Sequence, residues 1–469
     1  MRTLQTACFL LLALLIPALA SANPEPTSYD GRSIGMGLTG VTYLDRPAAL
    51  ALNPANLDGI EKLGFTLNFT ALFTNQRAPV QGPGSQVESG LGFGPIPAGF
   101  IAGRVAPRVV FAGGLYIETG YGSSFSGVRC LDGAADPNNP DSQFPDTNPD
   151  TCLNGDPQNL DVTFFVGEFS TGFSFKAHEK FQLGLALRLP FSKQNASLYQ
   201  NVGAALGAGT LYGNVKNNIG GVGFPTLRFG FTIKPHRKVR ISAMYRMYSK
   251  IKLTGYTETA LFPDRLQAEA DWFIPHALAF GVSYQANSHL LLAFEARRQF
   301  HAADKSGNQN QTVVASLPDG TVLSTIVVPF GWQNLWSVKV GFEYRFTKDV
   351  IALRLGTNIA EAATTPQWAQ YFTPPPAPFM FSTVTAGLGF YWNDRNDPSI
   401  KDKYRLDLGG LFGWSGDTIS DEYIGTRETI PGTTQDVEIC SEEQVVRTGC
   451  PGKYRVLTYW GSVSFTIQY

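Results

Sequence analysis

Residues 333–346 read QNLWSVKVGFEYRF. Trp336, Val338, Val340, Phe342, Tyr344 and Phe346 share one side of an extended chain. Ser337, Lys339, Glu343 and Arg345 share the other, because successive side chains of a strand point to opposite faces. A period of 3.6 does not collect either set. The same alternation recurs outward from this stretch. In 64–74, Phe65, Leu67, Phe69, Ala71 and Phe73 oppose Thr66, Asn68, Thr70 and Thr74. In 180–190 the apolar set is Phe181, Leu183, Leu185, Leu187 and Leu189. In 224–234 it is Leu227, Phe229, Phe231 and Ile233, set against Thr226, Arg228, Gly230, Thr232 and Lys234. The pattern predicts fourteen strands, over 64–74, 98–106, 108–120, 161–176, 180–190, 223–234, 239–255, 268–285, 289–301, 333–346, 349–359, 382–393, 404–416 and 454–469.

The connections alternate in length. Tight or short polar turns fall near 107, 178, 236, 287, 347 and 394–403. Between them lie 75–97, 121–160, 191–222, 256–267, 302–332, 360–381 and 417–453, most of them long. Short turns at one end and long loops at the other describe a transmembrane antiparallel β-barrel, with apolar residues outward and polar ones inward. Closure removes the sticky edges of so long a sheet. The final residues, Val463 to Tyr469, alternate up to a terminal aromatic, an ending similar to the assembly signal of bacterial outer-membrane proteins.

Composition agrees with this class. The chain has 469 residues, 37 Lys+Arg against 38 Asp+Glu, 49 Gly and 33 Phe. Its charged fraction of 16% is low, and no basic patch suggests nucleic acid. Beyond the N-terminus no apolar run is long enough for a spanning helix. Residues 7–20, ACFLLLALLIPALA, have the length of a signal-peptide core; Ala20-Ser21-Ala22 fits a cleavage site, and Ala18-Leu19-Ala20 is a second candidate. The expected organisation is a signal peptide over 1–22, a small-residue-rich hatch over 23–63, and a barrel over 64–469. Cys8 belongs to the signal segment. The other four cysteines allow three pairings, of which the local one, Cys130 with Cys152 and Cys440 with Cys450, needs the least chain closure; all lie in long loops where an exported chain can keep disulfides.

Several stretches resemble the FadL-type family of outer-membrane transporters for long-chain fatty acids and hydrocarbons. They are Gly35-Met36-Gly37 to Val41 followed by Asp45, Ala48, Ala49 and Asn53-Pro54-Ala55; Phe224 to Tyr256; Ile274-Pro275-His276-Ala277-Leu278 running into Gly281 to Tyr284; and Trp336 to Phe346. The resemblance implies a fourteen-stranded barrel with an N-terminal hatch carrying Asn53, Pro54 and Ala55. It also implies capture of a hydrophobic small molecule by outward loops and its release through a lateral opening. By the same analogy, a capture groove would form from Leu198, Tyr199, Leu206, Leu211 and Tyr212, with a helix-compatible stretch near 196–208, and from Leu261 and Phe262. The family's wall opening lies at a kink of the third strand, where Gly113 and Gly114 stand here.

Alternation points Arg228, Arg240 and Arg246 into the lumen, where one could meet a ligand carboxylate. The expected partners are the hydrophobic ligand, outer-membrane lipid and lipopolysaccharide, and the assembly machinery, with a monomeric chain in the bacterial outer membrane. No cofactor or metal is expected, and no catalytic residue. Gly35 to Gly40 matches GxGxxG, but it follows no strand and opens no βαβ unit. The competing readings are a general diffusion porin, which would have no hatch, and a barrel enzyme or adhesin.

Overall fold

The computed structural model describes residues 29–80, 84–128, 158–201, 212–259, 262–303, 307–346, 350–370, 380–393, 402–441, 444 and 447–469. The predicted signal peptide, residues 23–28 of the predicted hatch segment, and Cys130 and Cys152 lie outside them.

Fourteen antiparallel wall strands close into a barrel. In chain order they are Leu63–Ala78, Gly92–Ala106, Val109–Val128, Gln158–His178, Phe181–Asn201, Tyr212–Val222 continued by Thr226–His236, Val239–Arg246 continued by Ser249–Thr259, Phe262–Ile274 continued by Ala277–Gln285, Leu290–Gln299, Leu335–Arg345, Ile351–Ala360, Phe381–Trp392, Tyr404–Ile419 and Gly452–Gln468. Closure runs from Gly64 opposite Gln468 to Arg77 opposite Arg455. Every strand thus finds a partner on both sides over part of its length, the only sheet arrangement compatible with lipid.

The wall's faces follow the alternation. Trp336, Val338, Val340 and Tyr344 are exposed, whereas Ser337, Lys339 and Glu343 are buried. Trp336 and Tyr344 are about 27 Å apart along their strand at ~3.4 Å per residue. With a ~40° tilt this gives about 21 Å of height, close to the ~25 Å apolar band of such barrels. Aromatic pairs sit near each rim of the band: Trp392 on Tyr404 at 5.9 Å towards the short turns, and Phe412 on Trp414 at 5.5 Å towards the long loops.

Several predicted loops are largely strand. The segment predicted as helix-compatible near 196–208 is extended through Asn201, and Phe191–Asn201 pairs with Tyr212–Val222. The predicted loop 256–267 is the tip of a long hairpin. Within the predicted loop 302–332, Asn310–Ser316 and Val322–Pro329 form a hairpin that adds to the eighth wall strand, Gln267 opposite Ser316. The wall therefore rises above the bilayer on this side.

The rise is marked by a reversal of faces. Below it, Met244 and Arg246 point inward; above it, Ser249, Ile251 and Leu253 do. On the neighbouring strand Ala268, Ala270, Trp272 and Ile274 are buried above, and Ala277 and Ala279 below. Arg246 pairs with Ala277 and Ser249 with Ile274, so both strands switch together at Met247-Tyr248 and Pro275-His276. Pro275 has no N–H to give to the ladder, which suits it to an interruption. Above the switch the outer face carries exposed pairs, Lys250–Asp271 at 2.6 Å and Lys252–Glu269 at 2.7 Å, as a surface in water should.

Cys440 and Cys450 are bonded. They anchor a lid over the mouth with Trp368, Ile430 and Ile439. Closing a loop of this separation limits the opened lid by about 2–3 kcal/mol on the chain-entropy estimate. Reduction is expected to expose 420–451 to protease while the folded barrel keeps its mobility on an unheated gel. Equal protection in both redox states would show that packing alone holds the lid.

Candidate functional site: hatch, chamber and wall gap

The hatch occupies the lower lumen. Asp30 caps the helix Gly31–Gly35, its carboxylate accepting from Arg32 N at 2.9 Å. Asn53 caps the turn Pro54–Gly59, accepting from Ala55 N at 3.1 Å. A proline in the first position suits such a start, since its missing N–H would have no helical partner. The Asn53 amide also donates to Val41 O at 2.9 Å and to Thr232 Oγ1 of the wall at 3.2 Å. Ser174 Oγ donates to Ala55 O at 3.0 Å. Two inward-facing wall glycines make room for this motif. A Cβ on Gly184 would lie 2.2 Å from Ala55 N, and one on Gly230 would lie 1.9 Å from Asn53 Oδ1.

Buried ions fix the other side. Arg46 bridges Asp30 of the hatch, at 3.0 Å, and Asp407 of the wall. Arg32 reaches Glu343 at 2.7 Å, and Arg354 joins Glu343 and Asp407 at 2.7 and 2.6 Å. Such networks define a position more surely than they add net stability, because desolvation offsets much of the attraction.

Above the hatch the inward faces become apolar. Val162, Phe164, Val166, Leu198, Ile219, Ile251, Leu253, Trp272, Ile274, Phe330 and Trp332 form one buried cluster. Trp272 is its centre, with ring centroids 4.5 Å from Phe164, 5.9 Å from Phe330 and 5.6 Å from Trp332. These side chains come from strands four to eight and from the segment after the added hairpin.

A charged floor separates this apolar cluster, the chamber of the proposal below, from the hatch. Arg188 Nε donates to Glu168 at 2.9 Å. Arg228 lies 3.4 Å from both Glu118 and Glu168, and Arg246 binds Glu118. Arg228 Nη1 donates to Tyr116 OH at 2.8 Å, and Tyr29 OH of the hatch donates to Glu118 at 2.7 Å.

Glu118 marks an irregularity in the wall. Ile117 pairs with Gly167 but Thr119 pairs with Val166, so the third strand carries one extra residue there, a β-bulge. On its other side, pairing with the second strand ends at Ala98 opposite Tyr116. Beyond that point the second strand, Gly92 to Pro97, pairs only with the first. Pro95 and Pro97 have no N–H to offer a further neighbour. Contact resumes higher up, where Gly90 N donates to Ser124 O at 2.9 Å. The wall therefore has a gap between its second and third strands. Phe100, Tyr116 and, behind them, Tyr29 of the hatch form its lower rim, with Tyr29 and Tyr116 centroids 4.6 Å apart.

Of the residues singled out from sequence, Asn53, Pro54 and Ala55 sit at the hatch–wall contact. Leu198 lies in the chamber. Tyr199 and Tyr212 lie on paired strands, and Phe262 begins the upper half of the eighth strand. Leu206, Leu211 and Leu261 are outside the described residues. Arg228 and Arg246 are engaged with Glu118 and Glu168 in the floor, whereas Arg240 faces a different cavity near the short turns. Gly113 and Gly114 are not at the break: both have ladder partners on each side. The bulge lies beyond them at Glu118. Gly114 instead makes room for Phe100, whose ring a Cβ would meet at 2.3 Å.

No family model matches the sequence, and no curated protein matches it. Solved structures do. A FadL homologue from Pseudomonas aeruginosa aligns over 96% of this chain and 99% of its own, with a TM-score of 0.68 at 15% identity. The toluene transporter TodX of P. putida aligns over 95% and 99%, with a TM-score of 0.65 at 18% identity. The toluene transporter TbuX of Ralstonia pickettii aligns over 95% and 99%, with a TM-score of 0.64 at 16% identity. The fold is that of the FadL-type barrels. Sequence reasoning about that fold did not find Trp272, Phe330, Trp332 or Glu118. The available signal for Trp272 was Pro275, three residues on, in the middle of a supposedly continuous strand.

Proposed function

We propose that the chain moves hydrophobic small molecules across a bacterial outer membrane and releases them sideways into the bilayer. One observation carries the reading: the apolar chamber, its charged floor and the gap between the second and third strands adjoin one another, with the hatch closing the lumen below. Apolar lining with few polar anchors is the usual composition of a small-molecule site. A solute leaving the chamber meets either the hatch or the gap, and the gap faces lipid. The toluene transporters and the FadL homologue that share the fold support a hydrophobic cargo.

The floor favours a cargo with an acidic head. Arg188, Arg228, Arg246 and Arg297 are buried there against Glu118 and Glu168, and Arg297 acts on Glu118 through its field. A carboxylate head would accept hydrogen bonds from guanidinium groups of this floor while its hydrocarbon tail lay against the apolar side chains above. A diffusion porin would need an open lumen, which the hatch occupies.

The test is uptake of labelled oleate and labelled toluene by cells lacking their own transporter. Saturable uptake is expected, larger for oleate. Deleting Thr119 removes the extra residue but keeps Glu118 and the facing of its neighbours. It is expected to close the gap and reduce uptake at least tenfold, with ligand still bound by the purified protein. Undiminished uptake by the deletion variant would rule out release through the gap. Free passage of polar solutes through the intact protein would make it a porin.

A further inference from the structure

We propose that the periplasmic end of the lumen holds a second site, for a small oxyanion such as phosphate or a polycarboxylate. It does not depend on which cargo is carried. A polar cavity of about 290 Å3 opens there, between the hatch and the short turns of strands six to ten. That is far more than a single water requires and ample for an anion of this class.

Its lining is strongly cationic. Arg32, Arg237, Lys238, Arg240 and Arg345 contribute five positive charges, and His289 adds a titratable ring. Asp45 and Glu343 are the carboxylates in the same lining. Both are already engaged. Glu343 holds Arg32 and Arg354, and Asp45 lies 3.5 Å from Arg32 and 3.4 Å from Arg405. Lys238 donates to Ala286 O at 2.9 Å, and Arg345 pairs with Asp402 at 2.9 Å. The side chains of Arg237 and Arg240 have neither hydrogen bond nor salt bridge to any described residue, and Arg240 shares the field of Asp45 across the cavity. Arg240 is half-buried on the inner wall, where water solvates it less well than at the surface. A guanidinium in that position is matched by an oxyanion, which accepts two parallel N–H bonds.

The site touches the hatch. Arg32 belongs to the hatch helix and lines the cavity from above, paired with Glu343 of the wall. An anion seated beside Arg240 therefore shares the field of the Arg32–Glu343 pair. Solutes on the periplasmic side would act on the hatch from the face opposite the chamber.

Isothermal titration of the full-length protein in non-ionic detergent tests this, with phosphate and citrate as probes at constant ionic strength set by chloride. Saturable one-to-one binding of at least one probe is expected, and Arg240→Gln should weaken it about tenfold, the effect of losing a charge-assisted bidentate contact. Which probe binds separates a phosphate site from a carboxylate site. No saturable binding of either, or unchanged affinity in Arg240→Gln, overturns the proposal. Should Arg240→Gln fail to give a folded barrel, Asp45→Asn serves with the opposite sign. Removing a carboxylate from the lining must then tighten binding, and unchanged or weaker binding overturns the site.

Discussion

Gly184→Leu is expected to turn a closed barrel into a leaky one. Gly184 faces inward on the fifth strand, opposite Gly230, where the Asn53-Pro54-Ala55 turn rests on the wall. A Cβ there would stand 2.2 Å from Ala55 N and 2.3 Å from Pro54 C. Both are backbone atoms, so no side-chain rotation relieves the clash. Overpacking by even a few methylenes costs about 1–3 kcal/mol, and a leucine must place three more carbons beyond the Cβ. The neighbours Leu183 and Leu185 point to the opposite face and are untouched by the change. The hatch must therefore move. Its ion pairs through Arg32 and Arg46 hold the far side, so the turn should swing away and open a water path beneath the chamber. In planar bilayers the variant is expected to conduct small ions steadily where the parent is nearly silent, and to match a variant lacking residues 29–60. A folded Gly184→Leu barrel that stays silent would mean that the hatch does not seal the lumen at this contact.

The lipid-facing wall was legible because one physical rule governs it throughout. Apolar residues outward and polar residues inward repeat with period two, so Trp336 to Phe346 and Phe65 to Phe73 announce their faces directly. The chamber was not legible, because that rule reverses within single strands. Taken as one strand, 268–285 puts Trp272 on the same face as Leu278 and Phe280, which are exposed to lipid. The two-residue interruption at Pro275-His276 shifts the facing, and Trp272 turns inward. A partner interruption at Met247-Tyr248 has no proline and left no mark. The wall gap was displaced in the same way. Gly113-Gly114 is conspicuous in sequence, yet its glycines fit a regular ladder around Phe100. The bulge sits at Glu118, because almost any residue can be the extra one in a bulge. The hatch motif was found only through resemblance. Its physical basis, the glycine pair Gly184 and Gly230, lies about 130 and 180 residues away in sequence and needs the closed barrel to be seen.

Trp272→Ala is expected to abolish efficient uptake while leaving the barrel intact. Trp272 touches Phe164, Phe330 and Trp332, and so links the fourth strand, the eighth strand and the segment after the added hairpin. In an ordinary core such a truncation costs about 3–5 kcal/mol. Here Trp272 stays in its ladder opposite Ile251 whatever its side chain, so the loss falls on the pocket and its ligand. A large aromatic at the centre of a desolvated pocket is the kind of residue whose removal costs about 3 kcal/mol of binding. That corresponds to roughly 100-fold in affinity. Uptake at ligand concentrations below saturation should fall by the same order, and Trp272→Phe should retain most of it, because the ring contacts persist. Trp336→Ala supplies the control. It removes an indole of similar size from the lipid face, outside the chamber, and should leave uptake within about twofold. Equal losses in the two tryptophan variants would mean that uptake follows general barrel stability and not the chamber. Full uptake in Trp272→Ala would place the ligand's path elsewhere in the lumen.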